Sequence, residues 1–240
     1  MVHKVHIAMV LDRSGSMEDA RFDAVSAVNR YLGHVRSDKS MDARLSVVVF
    51  DSEGIDTIRD RVPVSACAEV ALNEYEPRGA TPLLDAVGYC VGIVDCLTGK
   101  DERRIMAIVT DGLENASREY TRDQLKVLLD RKQREDGWLI LYMGAGHDSF
   151  SQARQIGIPA RHTADFSLNA FGETADVLKT VGSRFLGRPR GLDAAFASGL
   201  TGDERLQLIL GRKGTDRGLL RGCGGSMRLA RHWRTGVRES

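Results

Sequence analysis

The sequence predicts an α/β protein built on a mostly parallel sheet with helices on both faces. Two observations carry this. Short apolar runs rich in Val, Ile and Leu alternate along the chain with longer segments whose apolar residues recur at helical spacing. Strands of that kind are buried on both faces, so they lose the in-and-out alternation of an exposed sheet and read as βαβ units. In addition, two of the runs stop abruptly at oxygen-rich loops, DRSGS at 12–16 and TDG at 110–112. Central strands of α/β sheets deliver ligand-binding loops in that way.

In chain order, residues 5–11 form the first buried run. Residues 19–35 place Phe22, Val25, Val28, Tyr31, Leu32 and Val35 at helical spacing. Residues 45–50 (LSVVVF) are a second buried strand, and 55–64 alternate like a half-exposed edge strand. Residues 82–97 read as a helix with Pro82 in its first turn. A strand at 105–109 (IMAIV) leads into Thr110-Asp111-Gly112, and 121–135 form an amphipathic helix with Thr121 as N-cap. Residues 138–143 are a fifth buried run, 149–155 a short helix, 161–166 a last strand and 169–185 a last helix. Beyond Phe185 the pattern weakens: 203–210 are a candidate helix, and Gly222, Gly224 and Gly225 interrupt the rest of the chain.

Charge divides the chain in the same place. Residues 187–240 hold eleven Lys/Arg against five Asp/Glu, a balance of +6. Since the whole chain carries +1, residues 1–186 carry −5. The expected organisation is one domain at 1–186 and a basic, Gly/Arg-rich extension at 187–240, partly disordered on its composition. With 42% hydrophobic residues the body has enough apolar material for a real core. Cys67, Cys90, Cys96 and Cys223 have no zinc spacing, and Cys90 and Cys96 fall in an apolar helical stretch that suggests buried thiols. Few, scattered cysteines, no signal peptide pattern and no membrane-length apolar run lead to a cytoplasmic expectation.

The candidate site comes from three loops. Asp12, Ser14 and Ser16 leave the first strand, Asp111 leaves the fourth, and Thr81 sits in the loop that opens the helix at 82–97. Two carboxylates and three hydroxyls, with no His or Cys, make a hard oxygen set that selects Mg²⁺, Mn²⁺ or Ca²⁺ over zinc or copper. Gly15 lets the backbone curl so that both serines aim at one point. Hydroxyl ligands are neutral, so the ion stays electron-poor and favours an incoming carboxylate. Helix capping alone would suit Ser16, yet it does not explain two aspartates converging from separate strands.

At these residues the chain resembles the von Willebrand factor type A (vWA) family, in its small intracellular bacterial form. That family's metal-ion-dependent adhesion site is Asp-x-Ser-x-Ser, then a distant Thr and a distant Asp. Here these stand as DRSGS, GATPLLDA and TDG. Phe50-Asp51-Ser52, and GAGHDSF with QIGI after it, extend the resemblance over residues 3–186. The resemblance implies a doubly wound sheet of order 3-2-1-4-5-6 with one antiparallel edge strand. It implies Mg²⁺ held by Asp12, Ser14, Ser16, Thr81 and Asp111, with the aspartates orienting serines and waters. A partner protein supplies the last ligand as Glu or Asp, and AAA-type ATPases are such partners for intracellular relatives. Arg13, Arg78, Leu113 and Glu114 are expected at the rim.

Other chemistries fit less well. A phosphatase using Asp12 as nucleophile wants a second carboxylate where Ser14 stands, and Lys100 and Lys126 have no supporting motif. No GxxxxGK[ST] is present, which excludes a P-loop. Ser14 with His147 lacks an orienting third group, and His147 reads as a polar loop residue. Arg212, Lys213, Arg217, Arg221, Arg228, Arg231, Arg234 and Arg238, with Trp233 to stack, offer a nucleic-acid contact; the glycine content favours a solvated tail instead. The expectation is a binding module and not an enzyme, without membrane contact.

Overall fold

The computed structural model describes residues 2–145, 149–166 and 171–188. Within these described residues, six strands form one sheet: β1 (His3–Asp12), β2 (Met41–Asp51), β3 (Gly54–Pro63), β4 (Arg103–Thr110), β5 (Leu139–Ala145) and β6 (Thr163–Phe166). Their order is β3-β2-β1-β4-β5-β6. Only the β2–β3 pair is antiparallel; the others are parallel. The sheet is the doubly wound one the sequence led us to expect, and β3 is its antiparallel edge.

Among the described residues, five helices cover it: α1 (Arg21–Ser37), α2 (Leu83–Leu97), α3 (Arg122–Arg134), α4 (Ser149–Gln155) and α5 (Phe171–Leu186). The period of two along β1 divides the core. Val5, Ile7, Met9 and Leu11 pack under α1 and α5, while Ala8 and Val10 pack under α2, α3 and α4. Because each face has its own helices, both sides of β1 are buried, which is why its sequence is a continuous apolar run. α3 opens with a reciprocal cap: Thr121 Oγ1 accepts from Gln124 N at 3.3 Å and Gln124 Oε1 accepts from Thr121 N at 2.9 Å.

Several expectations need adjusting. Pro82 is the residue preceding α2 and not inside its first turn. The first helix starts at Arg21, after a separate 3-10 turn at Gly15–Glu18. Phe22, expected on the core face, is 68% exposed in the first turn of α1. Cys90 is buried, but Cys96, near the end of α2, is exposed. The connection from β3 to α2 contains two short 3-10 turns, Val64–Ala66 and Leu72–Glu74, that the periodicity did not reveal. It still buries Val64, Cys67, Val70 and Tyr75 against the α1 side of the core. His147, the candidate helix at 203–210 and the basic residues from Arg212 to Arg238 lie outside the described residues. Among those described, no helix is long and apolar enough to cross a membrane.

Candidate metal centre

β1 sits at the point where strand order reverses, with β2 on one side and β4 on the other. Loops leaving β1 and β4 therefore open into the crevice where α/β sheets bind ligands. Asp12 is the last residue of β1 and fully buried. Its Oδ1 accepts from the Ser14 backbone N–H at 2.8 Å, and its Oδ2 accepts from the Thr110 hydroxyl. The Tyr75 hydroxyl donates to its backbone carbonyl. Side chain and backbone are thus both fixed.

From there a chain of oxygens runs outward. Ser14 and Ser16 hydroxyls lie 3.1 Å apart, and Ser16 donates to Asp111 Oδ1 at 2.8 Å. Ser14 precedes the 3-10 turn, yet its side chain caps no backbone amide. Capping therefore does not account for the serines. Thr81 enters from the third loop, held by Asn115, whose Oδ1 accepts from Thr81 N at 2.8 Å while Asn115 N donates to Thr81 O at 3.2 Å. Gly112 joins this loop to the rest: a methyl group there would stand 2.9 Å from Thr81 Oγ1 and 3.3 Å from Asp12 Oδ2. The glycine leaves open the space that these two oxygens share. All five sequence-predicted residues are therefore gathered at one end of the sheet.

The electrostatics of this end are lopsided. Burial pushes the Asp12 carboxyl up to about 6, against the hydrogen bonds from Thr110 and Ser14, and Asp111 adds repulsion. Burial also raises Asp111, with the Ser16 hydrogen bond opposing it. The nearest cation in sequence, Arg13, points elsewhere. It is buried, with Nε 2.7 Å from Asp51 Oδ2 and Nη2 2.7 Å from Asp56 Oδ2. Arg13 is thus a structural ion pair and not the rim residue expected. Glu114 is also structural, since its carboxylate accepts from Leu84 N, Ala116 N, Ser117 N and Ser117 Oγ. Leu113 does stand at the rim, 60% exposed. Among the described residues, no three His, Cys, Asp or Glu side chains cluster as a metal site; the set here has only two carboxylates and depends on hydroxyls.

Asp51 is the residue that sequence reasoning undervalued. Its Oδ2 takes Arg13 and, at 3.0 Å, Arg78 Nε, while its Oδ1 accepts from Glu53 N and Gly54 N. Ser52 Oγ accepts from Ala80 N at 2.9 Å, and Gly79 has a positive φ of 65° over Ser52. The β2–β3 turn thereby holds the loop that carries Thr81. Tyr75 and Asn115 gave no signal, since both lie in irregular segments. Lys100, considered as a phosphate-neutralising group, precedes β4 and so lies at the opposite end of the sheet from Asp111. Lys126 lies on α3 beside Gly157.

No protein-family model and no curated protein sequence matches the chain. Solved structures do. The vWF domain of the type V pili tip protein Mfa5 from Porphyromonas gingivalis aligns with a TM-score of 0.57 at 10% identity, over 79% of this chain and 98% of that one. The PilB minor pilin from Streptococcus sanguinis gives 0.54 at 12%, over 79% of this chain and 64% of that one. Proximal thread matrix protein 1 from the mussel byssus gives 0.54 at 15%, over 75% of this chain and 46% of that one. The chain thus spans about half of the mussel protein and just under two thirds of PilB. Likeness at these identities establishes the fold, and the fold is vWA-like.

Proposed function

We propose that the chain is a divalent-metal-dependent protein-binding module of the small intracellular bacterial vWA type. Asp12, Ser14, Ser16, Thr81 and Asp111 would hold the ion, Mg²⁺ first, with Mn²⁺ and Ca²⁺ suited to the same oxygens. The observation that carries this reading is the convergence of two burial-raised carboxylates and three hydroxyls at one end of the sheet, through the Ser14–Ser16–Asp111 contacts and the Thr81–Asp12 approach at Gly112, while Arg13 is committed to Asp51 and Asp56. A cation is the component that donor set lacks. The bound ion would supply a Lewis-acidic position for a Glu or Asp carboxylate of a partner protein, for which an AAA-type ATPase is one candidate class. The chain's own residues do the rest: Thr110 and Tyr75 fix Asp12, Asp111 orients Ser16, and Asn115 holds Thr81.

Binding is favoured over hydrolysis for two reasons. Ser14 stands where a phosphatase needs its second carboxylate, and Lys100 is at the wrong end of the sheet. The neighbours in fold are a pilus tip domain, a minor pilin and a thread matrix protein, which supports a non-enzymatic reading. The few, scattered cysteines support a reducing, cytoplasmic setting. The proposed folded unit is 1–186, with 187–240 as an extension whose basic residues are not assigned to nucleic acid.

The test is Mn²⁺ titration of the full chain, read by calorimetry or paramagnetic resonance. Asp12→Ala and Asp111→Ala should each weaken binding by more than about 100-fold, beyond what loss of an outer partner costs. Capture of a lysate protein in Mg²⁺ but not in EDTA, and not by Ser14→Ala/Ser16→Ala, would identify the partner. Unchanged Mn²⁺ affinity in both aspartate variants would remove the proposal.

A further inference from the structure

A groove of about 150 Å³ opens between the metal-site loops and α4. Leu83 and Leu84 come just after Thr81, and Leu113 just after Asp111, so the groove shares its loops with the candidate centre. Buried Leu83, Leu84 and Ile156 line it together with the exposed Leu113; Arg122 and Gln152 also border it. The volume is too small for the roughly 300–1,000 Å³ of a small-molecule site. It suits one or two side chains of a bound peptide.

Charge defines the occupant. Arg122 is exposed and forms no ion pair among the described residues. Glu114 also borders the groove, but its oxygens already accept from the backbone N–H groups of Leu84, Ala116 and Ser117 and from the Ser117 hydroxyl. The lining group left available to pair is therefore Arg122, and a bound cation would add positive charge on the other side. Resting on the metal-docking reading, we infer that the groove receives an acidic peptide segment of the partner. One carboxylate meets the metal, a second carboxylate a few residues away pairs with Arg122, and an apolar side chain between them rests on Leu84 and Leu113.

The experiment uses the full chain immobilised in Mn²⁺ and a displayed library of random heptapeptides as probe, eluted with EDTA. Wild type should select peptides with two acidic residues spaced by a few positions around an apolar one. Arg122→Glu places an acid in the first turn of α3, which a helix N-terminus tolerates, so the fold should persist. That variant should keep the first acid, replace the second by Lys or Arg, and bind the wild-type peptides about fivefold more weakly. EDTA-sensitive peptides with one acid only, selected equally by Arg122→Glu, would overturn the groove inference and leave the metal reading standing. Absence of any EDTA-sensitive peptide would overturn both.

Discussion

Asp12 faces two opposed demands at neutral pH. The proposed metal would need its carboxylate ionised, while burial at the end of β1 favours the protonated form and lifts its pKa from 3.8 to about 6. A raised carboxyl pKa means the native state holds the proton more tightly than the unfolded chain between those values. Its contribution therefore favours folding as pH falls through 6, and above 6 the metal-free protein carries a cost of up to about 3 kcal/mol. Asp12→Asn should raise the melting temperature of metal-free protein at pH 7.5, by several degrees, and abolish Mn²⁺ binding. The difference from wild type should vanish toward pH 4; a stability loss at pH 7.5 would contradict the burial argument. Gly112 makes a second test at this scale. Alanine there would press on the Thr81 hydroxyl at 2.9 Å, so Gly112→Ala should weaken Mn²⁺ about tenfold or more with a retained far-ultraviolet spectrum. Unaltered affinity would mean that Thr81 is not a ligand.

The loops that position these residues divide into those the sequence exposed and those it concealed. Asp12 and Asp111 were legible because each ends an apolar run, and a buried strand stopping at an acid is a strong pattern. Thr81 needed the vWA resemblance, since one threonine before a helix is otherwise ordinary. Residues 64–80 have no periodicity, so neither Tyr75 under the Asp12 carbonyl nor the turn built on Asp51 could be foreseen. That turn carries a prediction at the element scale. Asp51→Ala would leave Arg13 buried without its main partner, a loss of about 3–5 kcal/mol, and would free Arg78 and the loop beyond it. Gly79→Ala acts on the same loop through its positive φ and a close approach to Ser52. Both variants should lower Mn²⁺ affinity although neither residue is a ligand, and chemical denaturation should show the larger destabilisation for Asp51→Ala. A normal affinity in a folded Gly79→Ala protein would show that the β2–β3 turn does not position Thr81.

At the scale of the molecule, the end of the body is marked by an arginine at the far end of the sheet. Arg103, at the start of β4, donates to the carbonyls of Phe185 at 3.0 Å and Leu186 at 2.6 Å, and also to that of Arg188. Its guanidinium lies 5.2 Å from the Phe185 ring centre. Phe185 and Leu186 stand in the last turn of α5, where carbonyls lose their intrahelical partners, so one buried cation closes α5 and fastens it to β4. Phe185 and Leu186 are themselves buried in the α1 side of the core. If the folded unit ends where this closure ends, a chain stopping at Arg188 should melt within a degree or two of the full chain and bind Mn²⁺ equally well. A chain stopping at Ser183 loses the buried Phe185 together with the Arg103 acceptors, worth about 3–5 kcal/mol. In a body of this size that amounts to a fall of roughly 10 °C or more. A large fall already on removal of 189–240 would instead make the basic extension part of the folded unit, and the domain boundary drawn from the charge pattern would have to move.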